Sequence, residues 1–486
     1  MSAMRIGFVT SEVTPFAKTG GLADVSGTLP RFLQEQGHDV RVFMPFYDTI
    51  QIEDGKLHPV DFLQNVPIRF GERDIAFSVF TTPLPDSELW IYLIACPELY
   101  HRGSVYTQDA DEHLRFGMLV RATIESFQRM GYAPDVIHCN DWHTATLPLY
   151  LKTVYGWDAL FGGTRTMLTI HNIAYQGIFS AETVNELGLE GARPYLYQQD
   201  LEEGRLNFLK TGILYADALT TVSPTHAREI QQESYGYGLH ELLQAREDAL
   251  FGILNGVDYD EWNPEKDPLI PCRYSVRSLP GKGKNKKALV QNMGLPYDSK
   301  APVVGIVSRL THQKGFDLCF DVLPAMLAEH DMRLVVLGSG EAKYEEFFTK
   351  LQHSFPQKAV YYRGYNNKLA HMIEAGADMF LMPSRYEPCG LNQMFSLRYG
   401  TIPIVRKTGG LADTVQLYDP DTGKGNGFVF DHFTPEGMRW ALEAAFDIFQ
   451  DRKTWRKLMR SAMAQDYSWE VSGREYLKLY RMLAGQ

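Results

Sequence analysis

The chain is poor in cysteine, in clustered positive charge and in long apolar runs, and each shortage removes a class of function. Its five cysteines, Cys96, Cys139, Cys272, Cys319 and Cys389, are scattered through 486 residues. Their number is odd and no two form a C-x-x-C pair, so neither a disulfide framework nor a cysteine zinc site is expected, and a reducing compartment fits. No run of 18 apolar residues occurs, so no membrane-spanning helix is expected. The first residues lead from Met1 to Arg5 straight into Ile6-Gly7-Phe8-Val9. That apolar stretch is too short for a signal peptide and reads as a strand, so a cytoplasmic protein is expected. The net charge is -11, and the one basic cluster is Lys282, Lys284, Lys286 and Lys287. Phosphate backbones need clustered Lys and Arg, so nucleic acid is not an expected partner. No G-x-G-x-x-G follows Ile6–Thr10 or Val303–Val307, which weakens a dinucleotide oxidoreductase.

What is present is an ordinary globular composition, with 44% hydrophobic and 22% charged residues, in a chain long enough for two domains. Apolar runs at Ile6–Thr10 and Val40–Met44 flank a helical spacing through Leu22, Val25, Leu29, Phe32 and Leu33 that ends at Gly37. That is a βαβ unit, and it predicts a parallel sheet. Further strands are expected at Trp90–Ala95, Val136–Cys139, Thr166–Ile170 and Ala218–Val222, with an antiparallel insertion over Ile50–Pro85. The second half repeats the pattern at Val303–Val307, Arg333–Leu337, Ala359–Tyr362, Met379–Met382 and Ile402–Val405. The expected fold class is therefore α/β with two doubly wound, Rossmann-like domains, at 1–257 and 258–465. A last helix over 466–486 could return to the first domain. Trp262–Lys287, rich in Pro, Gly and Lys, reads as the hinge.

The string Lys18-Thr19-Gly20-Gly21-Leu22-Ala23-Asp24 recurs identically as Lys407-Thr408-Gly409-Gly410-Leu411-Ala412-Asp413. Each copy follows a strand and opens a helix. Paired glycines there let backbone N–H groups approach a ligand, and a helix N-terminus favours an anion. A tight turn without a ligand would give the same string once, less readily twice. Arg309 and Lys314 leave the end of a parallel strand, where such sheets bind ligands, and a guanidinium fork with an ammonium suits a diphosphate. Glu387, in Pro383-Ser384-Arg385-Tyr386-Glu387-Pro388-Cys389-Gly390-Leu391, could accept sugar hydroxyls, stabilise a developing positive charge, or simply pair with a helix dipole. Cys389 has no evident neighbouring base, so a nucleophilic cysteine is not expected. His138-Cys139-Asn140-Asp141-Trp142-His143 contains metal-type ligands, but on a strand end their side chains diverge, so no metal site is expected. His171 ends another strand, where a structural and a functional role are equally open.

Taken together and in order, these strings resemble bacterial glycogen synthases and plant starch synthases over nearly the whole chain. The match includes Asn140-Asp141-Trp142-His143, His171-Asn172-Ile173-Ala174-Tyr175-Gln176-Gly177, Thr221-Val222-Ser223-Pro224-Thr225, Leu254-Asn255-Gly256-Val257-Asp258, Ser308-Arg309-Leu310, Gln313-Lys314-Gly315 and both copies of the repeat. The resemblance implies the glycosyltransferase B fold, with two Rossmann-like domains and the active site in an interdomain cleft. It implies transfer of glucose, with retention, from ADP-glucose to an α-1,4-glucan acceptor, and no metal or other cofactor. By position it implies that Arg309 and Lys314 hold the diphosphate, supported by the Thr408, Gly409 and Gly410 amides. It implies that Gly20 and Gly21 approach it from the first domain, with Lys18 reaching phosphate or acceptor. Glu387 would contact the transferred glucose, in a donor-binding loop that runs on through Cys389, Gly390 and Leu391. His171, with Asp141 nearby, would sit at the reacting carbon, Asn255 would contact glucose or phosphate, and Tyr365 would stack on the base. Many related retaining transferases carry a second Glu eight residues after the first; here that position is Phe395, so ribose recognition is not assigned. A UDP-glucose-using synthase, another retaining transferase of this fold and a non-enzymatic glucan-binding scaffold are the alternatives.

Overall fold

The computed structural model describes residues 3–486. The chain forms two compact units. The first comprises the residues up to Val222 with Ala227–Gly256 and Trp469–Gln486; the second comprises Ser223–His226 and Val257–Ser468.

The first unit is built on a ten-stranded sheet. Seven strands run parallel in the order Leu250–Gly252, Ala218–Thr221, Arg165–Ile170, Val136–Asn140, Arg5–Val9, Asp39–Pro45 and Trp90–Ala95. The central strands are buried almost throughout, as apolar runs covered on both faces must be. The expected insertion is there: Arg73–Pro83 runs antiparallel to Trp90–Ala95 and carries His58–Pro59 and Val66–Phe70 on it. Helix Gly21–Glu35 follows the first strand after a long loop and buries Leu22, Val25, Leu29, Phe32 and Leu33. The final helix, Trp469–Leu483, packs against it. Gly473 lets Phe32 approach to 2.3 Å of where a Cβ would stand, and the Tyr480 hydroxyl lies 2.7 Å from Nδ1 of the fully buried His138.

The second unit has one six-stranded parallel sheet, in the order Ala359–Arg363, Arg333–Gly340, Val303–Leu310, Met379–Met382, Ile402–Arg406 and Phe428–Phe430. Two apolar clusters cover its faces, one around Leu323, Phe348 and Phe446, the other around Leu289, Ile373 and Val405.

The expectation of a hinge at Trp262–Lys287 is corrected. Pro280–Asn292 is a helix of the second unit, and two of its lysines, Lys282 and Lys286, are buried. The buried Lys282 ammonium donates to Thr401 Oγ1 at 2.5 Å and to the carbonyls of Glu374 and Ala375, and burial brings its pKa down to about 7. The Glu374 carboxyl nearby is pushed up by burial to about 8. Lys286 pairs with Asp378 at 2.7 Å. Lysine stems cover apolar surface when their heads find acceptors, which composition does not reveal. Phe395 is also structural. Its ring lies 4.0 Å from Trp262 at 2° between planes, and the opposite face of that indole carries His371 at 3.9 Å.

Candidate active site

In the first unit the functional side chains gather where the parallel strands end. The loop after Arg5–Val9 folds back on itself: Ala17 N–H donates to the Val13 carbonyl and Thr14 N–H to that of Ala23. This buries the Glu12 carboxylate. It accepts hydrogen bonds from Thr19 N–H, from Thr19 Oγ1 at 2.7 Å, from Gly20 N–H at 3.4 Å and from the Tyr106 hydroxyl. The expected anion-facing amides of the first glycine turn are thus partly engaged by a carboxylate of the protein. Around Gly20 itself there is open space, and Gly21 is exposed. Lys18 pairs with Asp24 at 2.6 Å. Tyr106 also lies 2.8 Å from Ser11 Oγ and stacks on the His143 ring at 4.8 Å.

Asp141 and His171 end neighbouring strands and are both buried. Asp141 meets His171 through the backbone and not through the ring. Asp141 Oδ1 accepts the backbone N–H of His171 at 2.7 Å and of Asn172 at 3.3 Å, and the ring is held instead by Asn140 Oδ1, 3.0 Å from Nε2. Asn140 Nδ2 donates to the Val9 carbonyl at 3.0 Å, so Oδ1 faces the ring and Nε2 carries the proton. The lone pair of Nδ1 is then an acceptor, buried and without a partner. Burial lowers the His171 pKa to about 3 and raises that of Asp141 to about 7, the latter against the two N–H donors. The imidazole is neutral at physiological pH and can accept a hydroxyl hydrogen bond. Asp141 holds φ at 56°, a left-handed conformation that costs a non-glycine residue energy and clusters at functional sites. Asn255 Oδ1 is a second buried acceptor without a partner.

In the second unit, strand Val303–Leu310 runs further than the sequence suggests. Arg309 lies within it and is exposed, with no ion pair or side-chain hydrogen bond among the described residues. Lys314 and Glu387 are joined directly: Nζ to Oε2 is 2.7 Å, and Ser384 Oγ donates to the same oxygen at 2.9 Å. Two loops meet to make this contact. Arg385 N–H donates to the Gln313 carbonyl at 2.9 Å. Gly315, at φ 71°, leaves 2.0 Å between a would-be Cβ and the Pro383 carbonyl oxygen, so no side chain fits. The paired cation and carboxylate form a unit that a phosphate could engage from one side and a sugar from the other.

In the second glycine turn the expectation is corrected at Gly410. A Cβ on Gly409 would lie 1.9 Å from the Glu387 carbonyl oxygen, and one on Gly410 2.0 Å from that of Cys389. Gly410 N–H is already donated to the Glu387 and Pro388 carbonyls at 3.2 and 3.1 Å, so it is not a phosphate donor. These glycines let the turn press on the loop that carries Glu387, and so position that carboxylate. Cys389 is buried behind it, and its carbonyl and that of Gly390 are held by Gln393 Nε2 at 3.1 and 2.9 Å. Leu391 then caps helix Asn392–Tyr399. Thr408 is fully buried. Tyr365, after strand Ala359–Arg363, is 74% exposed, and its hydroxyl donates to Asn367 Oδ1, an open ring suited to stacking.

Glu12, Tyr106, Asn140 and Ser384 are the site residues that sequence reasoning missed. Asn140 and Ser384 stood inside strings already singled out; Tyr106 had no signal at all. Among the described residues one other group has metal-ligand spacing, Glu329, His330 and Glu443. Arg439 bonds both of its carboxylates, at 2.5 and 2.8 Å.

Known proteins resemble this chain in sequence and fold. Residues 5–245 match the model of the starch synthase catalytic domain, and residues 294–461 that of glycosyl transferases group 1. A glycogen synthase of Koribacter versatilis is 43% identical over 481 residues, and one of Thermotoga maritima 43% over 484, covering 98% of each chain in both cases. The catalytic domain of starch synthase IV from Arabidopsis thaliana, solved bound to ADP and acarbose, superposes with a TM-score of 0.92 at 34% identity over the whole of both chains. A sucrose-phosphate synthase from Thermosynechococcus elongatus shares the fold, with a TM-score of 0.60 at 16% identity over 99% of each chain.

Proposed function

This chain belongs to the glycogen and starch synthase family, and from that premise we propose that it transfers glucose from ADP-glucose to the non-reducing end of an α-1,4-glucan with retention of configuration. The observation that carries this reading is full-length identity of 34% to a starch synthase catalytic domain that binds ADP, joined to the intact set of Arg309, Lys314, Glu387 and His171. The same likeness supports adenine over uracil as the donor base, with Tyr365 beneath it. No cofactor is required by this chemistry, and a cytoplasmic location suits the free thiols.

Departure of a nucleoside diphosphate builds negative charge on phosphate oxygens and positive charge at the sugar C1. Lys314, already fixed by Glu387, is preorganised for the first of these, and Arg309, exposed at the strand end, is open to join it. Glu387, held by Lys314 and Ser384, accepts sugar hydroxyls and balances the second. His171 supplies a neutral Nδ1 acceptor for a hydroxyl of the transferred glucose, its tautomer fixed by Asn140. Lys18 and Asn255 complete the contacts to phosphate and sugar. No side chain at hand stands out as an activated nucleophile, and the buried thiol of Cys139 is pushed up by burial. The acceptor hydroxyl therefore attacks C1 on the face from which the diphosphate leaves, giving its proton to a departing phosphate oxygen.

Incubation with radiolabelled ADP-glucose and glycogen, with UDP-glucose in parallel, tests the reading. Label should enter the polymer, with kcat/KM higher for ADP-glucose; absence of transfer from either donor would overturn the function, and equal use of UDP-glucose the base preference. In the same assay Glu387→Gln should lower kcat by about 10² with little change in donor KM. A change confined to thermal stability would reduce Glu387 to a structural partner of Lys314.

A further inference from the structure

The second unit carries a cavity of about 700 Å³ that the chemistry above does not use. Its lining includes Lys407, Gln416, Leu417, Asp431, His432 and Trp440. The volume falls within the range of small-ligand sites. Two of its walls are unusual for a surface. Trp440, on helix Pro435–Gln450, is 49% exposed, and Leu417 47%. Both stand on fixed backbone. Leu417 bridges Gly427, while Asn426 ties the same loop by accepting Gln416 N–H at 2.7 Å and donating to the Thr414 carbonyl at 2.9 Å. On the far side, Thr434 caps the Trp440 helix by accepting Gly437 N–H, and Lys407 N–H donates to the Phe430 carbonyl.

The polar groups around this apolar floor indicate the ligand. The side chains of Gln416, His432 and the neighbouring Glu436 are exposed and make no hydrogen bond among the described residues. Lys407 pairs with Asp431 at 3.6 Å, so positive charge in the cavity is offset by two carboxylates. An anionic ligand would meet more negative charge than positive. A neutral ligand with one apolar face and many hydroxyls meets a rigid indole, an amide, an imidazole and carboxylate acceptors. That is the surface of an α-glucan, whose sugar rings present C–H groups on one side and hydroxyls at the edge.

We propose that this cavity is a second glucan-binding subsite, with Trp440 as its stacking platform. The proposal rests on the reading of the acceptor as an α-glucan. A second grip raises the effective concentration of a long chain at the enzyme and gives nothing to a short one.

β-Cyclodextrin is the direct probe, because it has the glucan surface but no non-reducing end to be extended. Calorimetric titration of the full-length enzyme should give a cyclodextrin Kd that weakens about tenfold or more in Trp440→Ala and is largely restored in Trp440→Phe. The glycogen KM should rise in Trp440→Ala, with the maltotriose KM and kcat unchanged. Trp440 is half exposed, so the variant should melt like the wild type. Unchanged cyclodextrin affinity in Trp440→Ala overturns the subsite. So does a loss of ADP affinity in its place, which would mark the cavity as a nucleotide site. If wild-type enzyme fails to extend glycogen at all, the function falls instead, and cyclodextrin binding still decides whether the cavity takes a glucan.

Discussion

The two copies of Lys-Thr-Gly-Gly-Leu-Ala-Asp are the same seven residues in different surroundings, and they do different work. In the first, Asp24 holds Lys18 of its own copy, and the glycines are open while Glu12 takes the neighbouring amides. In the second, Asp413 turns away from Lys407 and accepts from Ser223 Oγ, Thr225 N–H and Thr225 Oγ1 at 2.7, 2.9 and 2.6 Å. Its glycines are pressed onto the backbone of Glu387 and Cys389. The string specifies a strand-to-helix turn; what the turn serves is decided by residues far away in the chain.

The comparison breaks first at the glycines. Gly409→Ala should abolish activity, by about 10² or more, and lower Tm, because φ is 43° and a Cβ would stand 1.9 Å from a carbonyl oxygen. Gly20→Ala, with nothing within 4 Å, should keep its fold. Thermal melts and glucan synthesis by both variants check this, and equal melts would mean the second turn yields more than its packing suggests. The lysines come next. Lys18→Ala should lower kcat by about 10², as for loss of one preorganised partner, and Lys407→Ala by less than about tenfold. Comparable losses would assign the chemistry to the wrong copy. A smaller effect separates the aspartates. Asp413→Asn should cost more Tm than Asp24→Asn, since it weakens three short hydrogen bonds where the other weakens a half-exposed ion pair and a longer bond from Thr14 Oγ1.

The smallest effect lies beside the first copy, at Asp141. Its folded pKa, about 7, stands above its unfolded value, so its contribution to stability is whole below the unfolded pKa and is lost as pH rises towards 7. Asp141→Asn keeps an acceptor for both N–H donors and removes that loss. Its Tm relative to wild type should therefore climb by a few degrees between pH 4 and 8. A constant difference would show that Asp141 is charged throughout.

The parallel strands of both units were legible because continuous apolar runs bounded by Gly or polar turns have few other solutions, and so was the antiparallel insertion after Ile50. The lysine-rich stretch near Lys282 was misread because its acceptors, Thr401 and the Glu374 carbonyl, lie about a hundred positions away. For the same reason the partner of the His171 ring, Asn140, was not legible: the two lie 31 positions apart, at the ends of neighbouring strands. Tyr106 meets Glu12 across 94 positions of sequence from within an irregular stretch, and no periodicity marks it. Local pattern set the elements and their ends; pairing between ends was set by topology.

The closing helix, Trp469–Leu483, gives the molecule a direction in time. The ribosome delivers the ten strands of the first unit early, yet the pocket that receives Tyr476 and Tyr480 stays unfilled, and Nδ1 of His138 lacks its tyrosine partner, until the chain beyond residue 480 has emerged. The second unit, encoded almost wholly between residues 257 and 468, has all its strands before that moment. Translation therefore reverses the written order: the later half can finish folding first, and the earlier half must wait, with an apolar groove open to chaperones, for the last few residues to arrive.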